Sequence, residues 1–163
     1  MDALHYQPAH ELLTRLEAGT LSSEKLVTAL LARIREHNPA VNAIVTLDEA
    51  GALEQARESD QKRAAGATTG PLHGLPLTVK DTWEVAGMTC TAGARALRDH
   101  KPEHHADVVQ RLEDAGAIIL GINRREHWCP FAGTFRGLLA PSRNQILWKA
   151  GLLPVMPKTL SCY

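Results

Sequence analysis

The sequence predicts an α/β fold in which a mixed β-sheet is flanked by α-helices, and three observations carry that expectation. Apolar residues recur at helical spacing in several separate segments. Between them stand short runs rich in branched apolar residues, Val41–Thr46, Leu75–Val79 and Ala117–Gly121, which are too short for helices and suit strands. The order, helix alternating with strand three times over, is that of α/β domains.

Pro8–Ala18 reads as a first helix, with Leu12, Leu13 and Leu16 on one stripe, Pro8 in the first turn and Gly19 as the stop. Ser22 or Ser23 caps a second helix that places Leu26, Leu30 and Ile34 four residues apart, with Val27 and Leu31 beside them. Asn38-Pro39 is expected to end it near His37, because the residue before proline disfavours helical geometry. After the strand Val41–Thr46, Asp48 caps a third helix carrying Ala50, Leu53, Ala56 and Ala64 and stopping at Gly66. The stretch Gly87–Gly93 is a loop of small and polar residues, whose backbone could approach a ligand closely. Asp107 opens a fourth helix with Val108, Val109 and Leu112 inward and Gly116 at its end. The all-apolar Ala117–Gly121 is the kind of strand buried on both faces.

With 163 residues the chain is long enough for one domain with a real core. Lysine and arginine balance aspartate and glutamate at 18 each, so no overall field recruits nucleic acid or an anionic membrane. A small molecule or a protein is the expected partner. The N-terminus lacks a signal-peptide pattern, and no apolar run approaches the roughly 20 residues of a membrane span, so a cytoplasmic location is expected. Cys90, Cys129 and Cys162 form no CxxC pair and read as reduced thiols. Charge is uneven along the chain: residues 1–121 hold 12 bases against 17 acids, a balance of 12 − 17 = −5, and residues 122–163 hold six bases against Glu126 alone, a balance of 6 − 1 = +5.

The stretch around which the chain is organised is Gly70-Pro71-Leu72-His73-Gly74-Leu75-Pro76-Leu77-Thr78-Val79-Lys80-Asp81. Glycines and prolines fix a turn, a strand follows, and a lysine stands at its end, where loss of hydration would favour the neutral amine. This stretch resembles the lysine motif of the amidase signature family. Supporting matches are Asn38-Pro39 with the strand after it, the Gly87–Gly93 loop, and Ala115–Gly121; several motifs in the right order are far more specific than one. The resemblance covers about residues 21–121 and implies the N-terminal part of such a domain: a partial amidase-signature fold, incomplete as it stands. It further implies hydrolysis of carboxylic amide C–N bonds by a serine, cis-serine and lysine triad, with Lys80 as the base, backbone N–H groups holding the oxyanion, a small-molecule amide as substrate, and no cofactor. An acidic neighbour on the same side would keep Lys80 charged, so the base role requires Asp81 to be turned away.

The serines of that triad have no counterpart here. In the family both lie in glycine-rich segments beyond the strand matching Ala117–Leu120, whereas this chain has five serines, Ser22, Ser23, Ser59, Ser142 and Ser161, and no two adjacent glycines. Ser22-Ser23 is better explained as a helix cap, and neither Ser142 nor Ser161 sits in a loop able to present a ring of donors. Beyond Gly121 the family continues through threonine-asparagine, a glutamate and an aromatic residue; Asn123, Glu126 and Trp128 are echoes at shifted spacing. Residues 122–163 are therefore expected to be a divergent tail, out of frame, otherwise replaced, or disordered, and the chain a catalytically inactive fragment.

Other constellations are weaker. His100, His104 and His105, or His127 with Cys129, lack zinc spacing and read as solvated loop residues. Gly66, Gly70 and Gly74 form no phosphate loop, because GxxxxGK[ST] is absent and Pro71 and Pro76 lack donors. Cys90 reads as a small buried residue rather than a nucleophile, and six bases spread over the tail make a thin patch for nucleic acid. The competing expectation from another class is a non-catalytic binding module that self-associates through an exposed sheet edge.

Overall fold

A computed structural model of the protein describes residues 4–67 and 69–124. Helix α1 spans Ala9–Glu17, α2 Ser23–Val41, α3 Glu49–Ala64 and α4 Asp107–Asp114; the strands are β1 (Ile44–Leu47), β2 (Pro76–Lys80) and β3 (Ile118–Asn123). The sheet has the order β1-β3-β2. β1 runs antiparallel to β3 and β2 parallel to it, so the sheet is mixed, and the α/β class follows as expected. Ile44 and Lys80 both lie opposite Asn123, on either side of β3.

Each face of β3 is covered. Ile118 and Leu120 pack with Val27 and Leu31 of α2 and with Ala52 and Ala56 of α3. Ile119 and Ile122 pack with Val79, Val85, Cys90 and Val109 on the opposite side. Five of the six β3 residues are buried, as expected of a strand without a solvent face. A third cluster joins Leu12, Leu16, Leu21, Leu26 and Leu75, seating α1 against the start of α2.

The caps follow the local chemistry. Ser22 Oγ accepts from Lys25 N and Asp48 Oδ1 from Gly51 N, each satisfying an orphan donor of a first turn. α2 does not stop before proline: it runs to Val41 with Pro39 in its last turn. The break comes at Asn42, which takes the left-handed conformation (φ 49°) and donates to Asn38 O. Asn38 then orders the exit, its Oδ1 accepting from Ala43 N and Ile44 N and its Nδ2 donating to Ile44 O. This is why β1 begins at Ile44 rather than Val41. In α3 the buried stripe is Ala52, Ala56 and Ser59, while Ala50 and Ala64 are exposed. In α4 only Val109 is fully buried; Val108 faces solvent. Among the described residues no helix is long and apolar enough to cross a membrane.

Candidate active site

The turn that leads into β2 is stapled from three directions. Leu72 N donates to Ala115 O and Gly74 N to Gly116 O, both at 2.9 Å, tying the turn to the α4–β3 connection. His73 Nε2 lies 2.9 Å from Ser59 O; a carbonyl only accepts, so this nitrogen carries the proton. Arg63 reaches across from α3, donating to Asp60, to Ser23 Oγ and, at 3.5 Å, to His73 O. Asp60 in turn accepts from Ser23 N and Glu24 N at the start of α2. Burial works against its charge, but those two N–H groups and the Arg63 guanidinium prevail and hold its carboxyl below the usual range. Gly74 (φ 77°) sits where these meet: a Cβ there would lie 2.0 Å from Ser23 Oγ.

β2 therefore leaves a fixed turn and ends at Lys80, at the carboxyl end of a parallel pair, the edge where open α/β sheets commonly place their ligands. Lys80 O accepts from Thr82 N and Trp83 N, which turns the chain away immediately after it. The Lys80 side chain is exposed, so the described residues do not supply the burial expected at a strand end. Across the ladder, Asn123 Nδ2 donates to Thr78 Oγ1 at 3.0 Å.

Asp81 behaves oppositely. It is wholly buried and accepts three hydrogen bonds, from Thr91 N (2.7 Å), Thr91 Oγ1 (2.7 Å) and Ala92 N (3.2 Å). Thr91 Oγ1 also accepts from Gly93 N. The N–H groups of Thr91, Ala92 and Gly93 are thus taken up internally, and this loop is no oxyanion hole. Its other half is fixed as well: Thr46 Oγ1 donates to Thr89 O, and Cys90 is a buried free thiol whose pKa is raised, chiefly by burial.

Of the loop histidines, His104 is exposed as expected, and His105 is instead held by its surroundings. His105 Nδ1 accepts from Ala86 N while Nε2 faces Glu113 at 3.2 Å, and His100 Nε2 lies 2.7 Å from Glu84. Ser22, Ser23 and Ser59 are occupied in capping and packing. Ser142 and Ser161, with Cys129, Cys162, His127 and nearly all of the expected tail, lie outside the described residues.

A profile of the Amidase family matches residues 25–144, that is 144 − 25 + 1 = 120 of 163 positions. The chain belongs to the amidase family. The match runs beyond Gly121, where the motif correspondence was expected to stop. Over 154 residues the chain is 36% identical to the A subunit of the glutamyl-tRNA(Gln) amidotransferase of Acidothermus cellulolyticus, covering 94% of this chain and 30% of that protein. It is 34% identical over 148 residues to the acylamidase of Rhodococcus erythropolis, covering 91% and 31%. The structure of the peptide amidase from Stenotrophomonas maltophilia superposes with a TM-score of 0.70 at 38% identity, covering 77% of this chain and 26% of that one. The chain spans less than a third of the length of these relatives, and the described helices and sheet are part of the amidase-signature fold.

Proposed function

We propose that this chain carries the lysine side of an amide-hydrolysing site, with Lys80 as general base for a serine nucleophile that the chain does not itself provide. The observation that supports this most is the placement of Lys80. It ends β2 beside β3, directly after a turn held by hydrogen bonds to Ala115, Gly116, Ser59 and Arg63, so its backbone is fixed while its side chain is exposed. A base that must take a proton from a serine supplied elsewhere requires that geometry. The substrate class is carboxylic amides, in keeping with the family.

Alone, the 163-residue chain is inactive in this account: a base without nucleophile and oxyanion donors gives little rate enhancement. Benzamide hydrolysis by the purified chain tests this. No turnover above buffer is expected; turnover abolished by Ser142→Ala or Ser161→Ala in a folded chain would show that the nucleophile lies within these residues. To test the base, residues 21–121 would replace the matching segment of the Rhodococcus erythropolis acylamidase, and Lys80→Ala would be made in that hybrid.

A second reading is favoured by one observation. β2 has a neighbour on one side only among the described residues, and an open strand edge invites pairing with another chain. A self-associating module would show a sedimentation coefficient that rises with concentration, and a Thr78→Pro variant would lower it.

A further inference from the structure

The loop tethered to Asp81 has a consequence for Lys80. Asp81 is the carboxylate nearest to Lys80 in sequence, and on a surface it would be the natural counter-ion of that ammonium. Instead it is fully buried. Because successive side chains on a strand point to opposite faces, Val79 and the position of Asp81 share one side and Lys80 takes the other. Val79 is packed with Val85, Cys90 and Val109, and Asp81 is locked by Thr91 and Ala92. Asp81 N also donates to Asn123 O, so both residues flanking Lys80 are fixed, one by packing and one by hydrogen bonds. A buried carboxylate is costly unless its lone pairs are satisfied. Here that role falls to a loop that adopts left-handed backbone at Ala92 (φ 48°) and Gly93 (φ 74°), a conformation unfavourable for alanine.

We propose that Asp81 is a positioning residue for Lys80: sequestered by Thr91 and Ala92 on the far side of β2, it holds Lys80 facing the other way and keeps its own carboxylate off the Lys80 amine. The inference rests on the reading of Lys80 as the base. It makes a distinction that a purely structural role does not. Asp81→Glu keeps the charge, but the extra methylene does not fit where three hydrogen bonds converge, so the carboxylate swings out and pairs with Lys80. Asp81→Asn keeps the size and two backbone contacts but has no charge with which to pair.

The test is competitive acetylation of the full chain with acetic anhydride, with the Lys80 rate read by mass spectrometry relative to Lys25. Half a pK unit of extra stabilisation of the ammonium slows a lysine about threefold, so Asp81→Glu is expected to slow Lys80 by about that factor, whereas Asp81→Asn stays within about twofold of the parent. Thr91→Val, which removes one bond to Asp81, is expected to slow Lys80 in part, and Thr91→Ser to leave it at the parent rate. Equal rates in the parent and Asp81→Glu, or equal slowing by Asn and Glu, would overturn the proposal. If Asp81→Glu fails to fold by circular dichroism, the contrast between Thr91→Val and Thr91→Ser decides it, identical rates in those two counting against. The outcome is separate from that of the base itself: a hybrid acylamidase indifferent to Lys80→Ala would refute the base, while the acetylation rates would still decide how Lys80 is held.

Discussion

Gly74→Ala probes the turn that delivers β2, and two other glycines provide its control. Gly74 (φ 77°) and Gly19 (φ 67°) both occupy left-handed backbone, but a Cβ at Gly19 would meet nothing within 4 Å, whereas at Gly74 it would lie 2.0 Å from Ser23 Oγ and 2.7 Å from Arg63 Nη2. Gly66 (φ 67°) is open like Gly19. Alanine in left-handed backbone costs about 1–2 kcal/mol, and Gly19→Ala and Gly66→Ala should show roughly that alone. At Gly74 the added carbon must also displace Ser23 Oγ and break the Arg63–Ser23 hydrogen bond, adding about 1–3 kcal/mol for overpacking and the lost bond. With a urea slope of about 1–3 kcal/mol/M for a domain of this kind, Gly74→Ala should lower the unfolding midpoint by about 1–2 M and the two controls by about half a molar unit. Adding Ser23→Ala should recover part of the Gly74→Ala loss, because it removes the oxygen that the new carbon strikes. Equal midpoints for Gly74→Ala and Gly19→Ala would refute the packing of this turn.

Other outcomes follow from the same contacts. Asp60 has its pKa lowered in the folded state, so its contribution is full above the ordinary aspartate value of about 3.9 and is lost as pH falls through the lower folded value. Asp60→Asn should therefore cost about 2 kcal/mol at pH 7, with parent and variant converging at the acid end of a urea titration against pH; a constant gap throughout would contradict this. Asn38→Ala removes three hydrogen bonds from the α2–β1 connection and should cost about 2–3 kcal/mol, with faster amide exchange at Ala43 and Ile44. Leu31→Ala, at a wholly buried position of the α2–α3–β3 core, should cost about 2–5 kcal/mol in the same denaturation assay.

What could be read from the sequence was what local chemistry decides. Asp48 and Ser22 cap helices because their oxygens reach free N–H groups of the first turn, and the β3 run is apolar because both faces are covered. Asn38-Pro39 misled: α2 carries Pro39 in its last turn although proline there removes one intrahelical donor, and the true break is the left-handed Asn42. α3 hid its inward face: Ala52, Ala56 and Ser59 are too small to mark a stripe, and the more apolar Leu53 is only partly buried. Lys80 could be singled out as the end of a strand after a rigid turn, and Asp81 was expected to turn away. Its engagement with Thr91 and Ala92 could not be foreseen, because the bonds join residues ten and eleven positions apart across an irregular loop. The Asp60–Arg63–Ser23 network spans up to 40 positions and left no local pattern.

Lys80 as the base of amide hydrolysis is tested most directly in the hybrid acylamidase carrying residues 21–121 of this chain. A general base typically contributes about 10²–10⁴-fold to the chemical step, so Lys80→Ala in that hybrid should lower kcat on a simple amide by that factor while KM changes little. A hybrid that folds, turns over, and keeps kcat within about tenfold after Lys80→Ala would contradict the assignment.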